Sequence, residues 1–251
     1  MRTVHKIFLL IVFSFSCSLS FAASKAEADA LYEKEQYMEA AEAYESVLKN
    51  EGVAAEVYYN LGNCYYKQDE IPLAVLNYER AFLLDPGDAD IRANLALARG
   101  KTIDKVVPPS EMCFVTWWRD LTNCMSINAW TITGIVAFIL MLVGITVYVF
   151  MSQLTLRKMG VYGAMVMLVM VLIANLAALS QHADLTHRDT AIIMAPAVTV
   201  KSSPSDTSTD LFLIHEGSMV EILDSSMKDW LEVKFEEGKQ GWLPASTLEI
   251  I

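Results

Sequence analysis

The chain has 251 residues, of which 54% are hydrophobic, and it carries a formal net charge of −11 at pH 7. This negative charge makes nucleic acid a poor partner, because the phosphate backbone would be repelled. The mean hydropathy of +0.33 is high for a water-soluble domain, and it arises from three separate apolar blocks in the sequence. Length, composition and charge therefore predict a multidomain, membrane-associated chain and exclude a nucleic-acid-binding function.

The first apolar block has the pattern of a secretory signal peptide. Arg2 and Lys6 precede the apolar run at residues 7–15, and Ala22 supplies a small residue for cleavage. We therefore predict that residues 1–22 are a signal peptide, which is removed when the chain is exported. Export would place the following residues in an oxidising compartment.

Helical repeats are predicted for residues 23–101. Ala40 and Tyr44 recur roughly 34 residues later as Ala74 and Tyr78, within apolar patterns at helical spacing. This period and this order of residues resemble the tetratricopeptide repeat, a helix-turn-helix unit that stacks on its neighbours. The resemblance covers about two and a half repeats and implies an all-α domain with a concave, partner-binding surface. Because about three repeats are usually needed for stability, we expect a cap or a partner to complete the stack.

The phase of the repeats indicates which side chains face this concave surface. Leu61 and Gly62 belong to the buried stripe of a repeat helix, whereas Tyr59, Asn63 and Tyr66 leave that stripe. We therefore predict that these last three residues bind a partner, with polar groups that pair with a peptide backbone. Acidic residues outnumber basic ones in the repeats, which favours a basic or polar peptide over an acidic one.

Residues 102–128 are predicted to be a linker or an interfacial segment. Trp117 and Trp118 belong to an aromatic cluster that suits a short helix in the lipid headgroup region; packing beneath the repeats is the alternative. Cys113 and Cys124 flank this cluster and are candidates for a disulfide in an oxidising compartment. A single continuous helix would instead hold them about 16 Å apart, which is beyond disulfide reach.

The second and third apolar blocks are predicted membrane spans. Residues 129–150 and 159–179 contain no Asp, Glu, Lys, Arg or His, and each is long enough to cross about 30 Å of hydrocarbon. Residues 151–158 between them carry Arg157 and Lys158, which favours a cytoplasmic loop. With the signal peptide, these two spans predict a bacterial inner-membrane protein whose soluble domains are both periplasmic.

Small residues on the predicted spans favour close packing of the two helices. Gly160 and Ala164 lie four residues apart on the second span, a spacing that lets helix backbones approach each other. Asn175 is a strongly polar residue in the middle of this span. We predict that it hydrogen-bonds to the other helix of the hairpin; contact with another membrane subunit is the alternative.

Short alternating runs, bounded by Pro, Ser, Asp and Gly, predict strands in residues 189–251. The phrases Asp229-Trp230-Leu231-Glu232-Val233 and Gly241-Trp242-Leu243-Pro244 resemble a bacterial SH3 domain, which implies a small all-β barrel.

Alternation along one of these strands separates a core side from an outer side. Leu231 and Val233 point one way and Trp230 points the other. In peptide-binding SH3 domains, a Trp and a Pro at the places of Trp230 and Pro244 form the groove, so the resemblance implies that these two residues bind a partner. The alternative is a Trp that only covers the core.

No catalytic motif is recognisable in the sequence. His182, Asp184 and His187 are the best candidates for a metal site, but two His residues without a Cys or Glu partner give a weak signal. A polar flank beside the membrane is the favoured interpretation. We expect no enzymatic activity, no cofactor and no bound metal.

The order of signal peptide, repeats, membrane hairpin and SH3-like barrel resembles the BatE-type proteins of the aerotolerance operon in Bacteroidetes. This resemblance implies assembly at the inner membrane with von Willebrand factor A domain Bat proteins and a MoxR-type ATPase. The hypothesis from sequence is therefore a non-catalytic membrane adaptor, or scaffold, that assembles a periplasmic protein complex. The first alternative is an envelope sensor or anchor whose SH3 domain binds peptidoglycan. A metal-dependent enzyme is the second alternative.

Overall fold

The computed structural model describes residues 25–105, 112–187, 189–236 and 238–251. The predicted signal peptide lies outside these described residues. The chain divides into two compact units. One unit contains most of the helical repeats together with the C-terminal sheet, and the other is built around two long apolar helices.

The repeat region is a series of helices separated by short turns. It comprises α1 (residues 25–33), α2 (Tyr37–Glu51), α3 (Ala55–Lys67), α4 (Ile71–Leu84) and α5 (Ala89–Lys101). The turns before α2 and α4 contain Glu35 at φ 61° and Asp69 at φ 63°. A left-handed residue at the end of a helix reverses the chain, and the same device occurs in both repeats.

The predicted small and aromatic residues form the repeat core. Ala40, Tyr44, Ala74 and Tyr78 are each at most 1% exposed. Gly62 meets the Tyr78 ring, because a Cβ atom on Gly62 would lie 2.7 Å from two of the ring carbons. The repeats therefore need the smallest side chain where α3 and α4 cross.

The second unit contains the aromatic segment and the apolar hairpin. Its helices are α6 (Cys113–Thr122), α7 (Ile127–Phe150) and α8 (Leu154–Thr186). The connection between α7 and α8 is only residues 151–153, shorter than the predicted loop. Arg157 and Lys158 lie near the start of α8, because long unbranched side chains are good helix formers. Cys113 and Cys124 are both free, at the two ends of the α6 segment.

Close backbone contact holds α7 against α8. A Cβ atom on Gly160 would lie 2.6 Å from the carbonyl oxygen of Gly144, and Gly144 in turn faces Ala164. The predicted small residues of α8 therefore do pack against the neighbouring helix. Asn175 Nδ2 donates to the Val171 carbonyl of its own helix over 2.8 Å, so its observed bond is not the predicted one to α7.

The described residues after the hairpin form a seven-stranded sheet with antiparallel pairing. The strands are β1 (Thr190–Ile193), β2 (Ala197–Lys201), β3 (Asp210–His215), β4 (Met219–Asp224), β5 (Trp230–Glu236), β6 (Lys239–Pro244) and β7 (Leu248–Ile250). Their order in the sheet is β3-β2-β6-β5-β4-β1-β7. Alternate residues form one core, which includes Val200, Ile214, Leu231, Val233 and Leu243. Each such side chain contributes about 1.5–3 kcal/mol on burial.

Candidate partner-binding sites

A groove of about 300 Å³ lies on the repeats. Side chains from α1, α3, α4 and α5 line it: Tyr32, Tyr59, Asn63, Tyr66, Lys67, Tyr78, Asn94 and Leu97. The three predicted residues of α3 are thus brought together on one surface, since helix geometry places positions three and four apart on the same face. Aromatic side chains and amides dominate this lining.

Hydrogen bonds fix the amides at the centre of this groove. Asn63 Oδ1 accepts from the Tyr78 hydroxyl over 2.7 Å and from Asn94 Nδ2 over 2.9 Å. Asn94 Nδ2 also donates to the Tyr59 hydroxyl over 2.9 Å. These bonds leave the Asn63 Nδ2 donor and the Asn94 Oδ1 acceptor without a partner among the described residues. A peptide backbone offers the complementary carbonyl and N–H groups.

Burial of the phenols supports this arrangement. Desolvation raises the pKa of Tyr78, and the neighbouring Tyr59 adds to the effect. Tyr78 therefore stays neutral and can act as the hydrogen-bond donor to Asn63. The Asn63 carboxamide is held in one orientation as a result.

The charge at this groove differs from the charge of the whole chain. Lys67 lines the groove, and Lys101 lies 4.3 Å from the centroid of the Tyr66 ring and 2.9 Å from Asp69. Asp and Glu are absent from the groove lining in the described part of the chain. The expected preference for a basic peptide rests on net charge, and the local lining gives it no support. The lining suits a polar, uncharged segment better.

Sequence reasoning missed the contribution of α5 to this groove. Asn94 and Leu97 are three residues apart on α5 and both line the groove. A spacing of three places two residues on one helical face, so this signal was present. Only half a repeat follows Pro86 in the sequence, and without a second helix the phase of α5 does not identify its inner face.

A second, shallower site lies at the end of β5 and β6. Trp230 pairs with Pro244 in the strand register, and the two line a cavity of about 360 Å³ together with Asp206, Lys228, Asp229, Ala245 and Ser246. Leu231, on the other side of the strand, is only 7% exposed, whereas Trp230 is half-buried. The two predicted sheet residues therefore adjoin each other at the protein surface.

The structure does not assemble the candidate metal ligands into a site. Among the described residues, no group of three or more His, Cys, Asp or Glu side chains is close enough to hold a metal ion. His182, Asp184 and His187 occupy the last turns of α8 and the residue after it. The absence of enzymatic activity stays a prediction.

The hairpin exposes a large apolar surface. Both α7 and α8 are long and apolar enough to cross a membrane. Side chains such as Ile132, Ile139 and Leu172 are more than half exposed. Exposure of such a surface to water is unfavourable, because burial of each of these side chains would contribute about 1.5–3 kcal/mol.

Comparison with known protein families identifies one part of the chain. Residues 25–90 match the family model for the tetratricopeptide repeat, and this match confirms the predicted repeats. No curated protein matches the chain. Tetratricopeptide repeats generally serve protein–protein interaction, so the groove on the repeats belongs to a protein-binding module.

Proposed function

We propose that this protein is a non-catalytic membrane adaptor whose repeats recruit a protein partner. The observation that carries this proposal is the groove in which Tyr59, Asn63 and Tyr66 meet Asn94. Its free amide donor and free amide acceptor match the two polar groups of an extended peptide. Its tyrosine rings supply the rigid contacts that dominate small interfaces.

A peptide would bind this groove through its backbone first. Asn63 Nδ2 would donate to a peptide carbonyl, and Asn94 Oδ1 would accept from a peptide N–H. The hydrogen bonds that already hold both amides lower the entropy that binding must remove. Side chains of the peptide would then contact the tyrosine rings, and these contacts would determine specificity.

Two membrane spans fit the apolar surface of the hairpin. In this proposal α7 and α8 cross the bacterial inner membrane, and the soluble domains are both periplasmic. The signal-like sequence at residues 1–22 and the cations Arg157 and Lys158 near the α7–α8 connection support this orientation.

The sheet is proposed to be an SH3-like domain that adds a second contact. The Trp230 indole beside Pro244 offers a flat apolar surface. By resemblance to BatE-type proteins, the partners would be von Willebrand factor A domain Bat proteins and a MoxR-type ATPase, with a role in aerotolerance or envelope stress.

A second candidate function is favoured by the polar rim of the sheet site. Asp206, Lys228, Asp229 and Ser246 line the site beside Trp230, and an aromatic ring flanked by hydrogen-bond donors and acceptors suits a polar glycan or peptide of the cell wall. In this alternative the protein is an envelope sensor or anchor that binds peptidoglycan. Co-sedimentation of the full-length protein with purified peptidoglycan, compared with the Trp230→Ala variant, distinguishes it from an adaptor.

The groove is tested best by a substitution that spares the fold. Asn63→Asp keeps the Oδ1 acceptor for Tyr78 and Asn94 but replaces the Nδ2 donor with an acceptor. Asn50→Asp makes the same change in charge at an exposed position of α2, outside the groove. Both full-length variants are crosslinked in native membranes, and the recovered partners are measured by mass spectrometry.

The expected result is a loss of at least tenfold in partner recovery for Asn63→Asp, with Asn50→Asp unchanged. Unfolding temperatures of both variants are measured alongside, so that a folding defect is recognised. Equal recovery with Asn63→Asp and with the wild type would refute the groove as the recruitment site.

A further inference from the structure

The C-terminal sheet contacts the end of the repeat array. Helix α5 begins a third repeat, and the described residues directly after it, 102–105, form no second helix. The β3–β4 turn, counted from His215 at the end of β3 to Ser218, lies against these residues instead. Most of the repeats belong to the same compact unit as the sheet.

Asp104 makes three polar contacts with the sheet. Its Oδ2 accepts from the His215 backbone N–H over 2.7 Å and from the Ser218 hydroxyl over 2.9 Å. Its Oδ1 lies 3.0 Å from His215 Nδ1. One carboxylate thus contacts three groups of a single turn, which is typical of a specific, oriented contact.

The surroundings of Asp104 favour its ionised form. Burial alone would favour the neutral acid, but the hydrogen bonds from His215 and Ser218 outweigh it and hold the pKa of Asp104 below its ordinary value. Ser218 is only 2% exposed. Separation of the sheet from the repeats would leave the hydroxyl of Ser218 and the turn N–H without this acceptor.

Close packing beside Asp104 requires a glycine. Gly217 has φ 77°, and a Cβ atom there would lie 2.7 Å from Thr102 Cγ2 and 4.0 Å from Pro72 Cα. Thr102 is 9% exposed. The turn therefore fits between the start of α4 and the residues after α5.

A second polar contact joins α4 to the last strand. Arg80 Nη2 donates to Glu249 Oε1 over 2.9 Å and to the Ile250 carbonyl over 2.8 Å. Because one acceptor is a backbone carbonyl of β7, this contact depends on how the sheet is oriented against α4.

From these contacts we infer that the sheet is the cap of the repeat array. The partner that completes the stack is the chain's own C-terminal domain, held at the β3–β4 turn by Asp104. Repeats and sheet then unfold and bind as one body, so the repeat groove and the Trp230 site keep a fixed separation. This inference concerns the protein's own architecture and requires neither a bound partner nor the proposed membrane location.

One consequence does rest on the proposed membrane location. Residues 112–187, with both apolar helices, lie between Asp104 and His215 in the sequence. A contact between Asp104 and His215 within one chain requires the repeats and the sheet to lie on the same side of the membrane. This conclusion is independent of the signal peptide.

The junction is tested by an engineered disulfide in the full-length chain. A Cβ atom on Gly217 would lie 3.7 Å from the Cβ atom of Thr102, within the range of about 3.5–4.5 Å that a disulfide requires. Cysteines replace both residues, and the exposed Cys113 and Cys124 become serine, while the buried Cys64 is kept. The control pair combines Thr102→Cys with Ser226→Cys, an exposed position in the β4–β5 turn.

Mild oxidation should crosslink most of the Thr102→Cys, Gly217→Cys chain and less than about a tenth of the control. The readouts are the count of free thiols by mass spectrometry and mobility on a non-reducing gel. Two reactive thiols in a folded Thr102→Cys, Gly217→Cys chain would overturn the inference.

A second variant covers the case in which a cysteine at φ 77° prevents folding. Asp104→Ala should raise the rate of protease cleavage in both the repeats and the sheet by at least tenfold, because the two parts lose a shared contact. Glu42→Ala, at an exposed carboxylate of α2, should change neither rate. Faster cleavage in only one part, or in none, would refute a common folding unit.

Discussion

Gly62 is the position where the close approach of two repeat helices can be tested most directly. A Cβ atom at Gly62 would lie 2.7 Å from both Cδ1 and Cε1 of Tyr78, far inside the separation of about 3.5–4.0 Å that carbon atoms prefer. Tyr78 is only 1% exposed, and its hydroxyl donates to Asn63 over 2.7 Å. The ring therefore has little room to move away from a methyl group.

The change Gly62→Ala has two opposing effects on stability. Alanine gains roughly 1 kcal/mol of helix propensity over glycine, whereas overpacking of a close-packed core costs about 1–3 kcal/mol. Displacement of the Tyr78 ring also weakens its hydrogen bond to Asn63, which contributes about 1 kcal/mol. Steric overlap should win, with a net destabilisation of about 1–3 kcal/mol and a fall in Tm of at least about 2 °C.

Gly100→Ala is the matched control for this experiment. Gly100 lies in α5, and a Cβ atom there would meet no atom within 4 Å. Only helix propensity changes at this position, so we expect a small rise in Tm. Thermal unfolding of the full-length protein, followed by circular dichroism, measures both variants. A Gly62→Ala protein that melts at or above the wild-type temperature would refute the steric reasoning.

Three further predictions concern the sheet, the hairpin and the junction. Trp230→Ala should weaken binding to a protein partner or to cell wall at least tenfold, about 1.4 kcal/mol, with little change in Tm. Leu231→Ala changes a core position that is 7% exposed, so it should cost about 2–5 kcal/mol of stability. Calorimetry and a binding assay on the full-length variants check both, and equal destabilisation would assign the indole to the core. A cysteine at Ser152, between α7 and α8, should resist an impermeant thiol reagent applied from the periplasmic side, while cysteines in the repeats and in the sheet should react with it. Reactive repeats together with a protected sheet would contradict the prediction of two spans. Burial opposes ionisation of Asp104, but the hydrogen bonds of the β3–β4 turn hold its pKa below the ordinary value. The contribution of Asp104 to stability should therefore be complete above about pH 4, and it should disappear as the pH falls through the lower folded-state pKa. Acid unfolding of the wild type and of Asp104→Asn measures this effect, and identical profiles would count against it.

Local patterns in the sequence were enough to predict the repeats. Ala40, Tyr44, Ala74 and Tyr78 follow helical spacing within each repeat, and all four are buried. The same phase predicted Tyr59, Asn63 and Tyr66 as one surface, and they line one groove. Such predictions succeed because helix geometry relates residues that are three or four positions apart.

The two apolar helices were predictable for a similar reason. Length and composition alone identify a segment that can cross a membrane, and both α7 and α8 meet that criterion. The helices extend beyond the predicted spans, since α8 begins at Leu154 and takes in both Arg157 and Lys158. Hydropathy records the apolar core of a helix but not the polar turns that extend it.

Contacts between distant parts of the chain could be identified only in the tertiary structure. Asn94 joins Asn63 in the groove because α5 packs beside α3, and Asp104 meets His215 although the whole apolar hairpin lies between them in the sequence. No short-range periodicity relates such residues, because their separation is set by how the helices and strands pack rather than by the geometry of any one of them. The sequence alone therefore determined where most helices and strands form and which sides of them are apolar. The tertiary structure decided how they meet, and its contacts at Asp104 are the basis for our inference that the sheet closes the open end of the repeats.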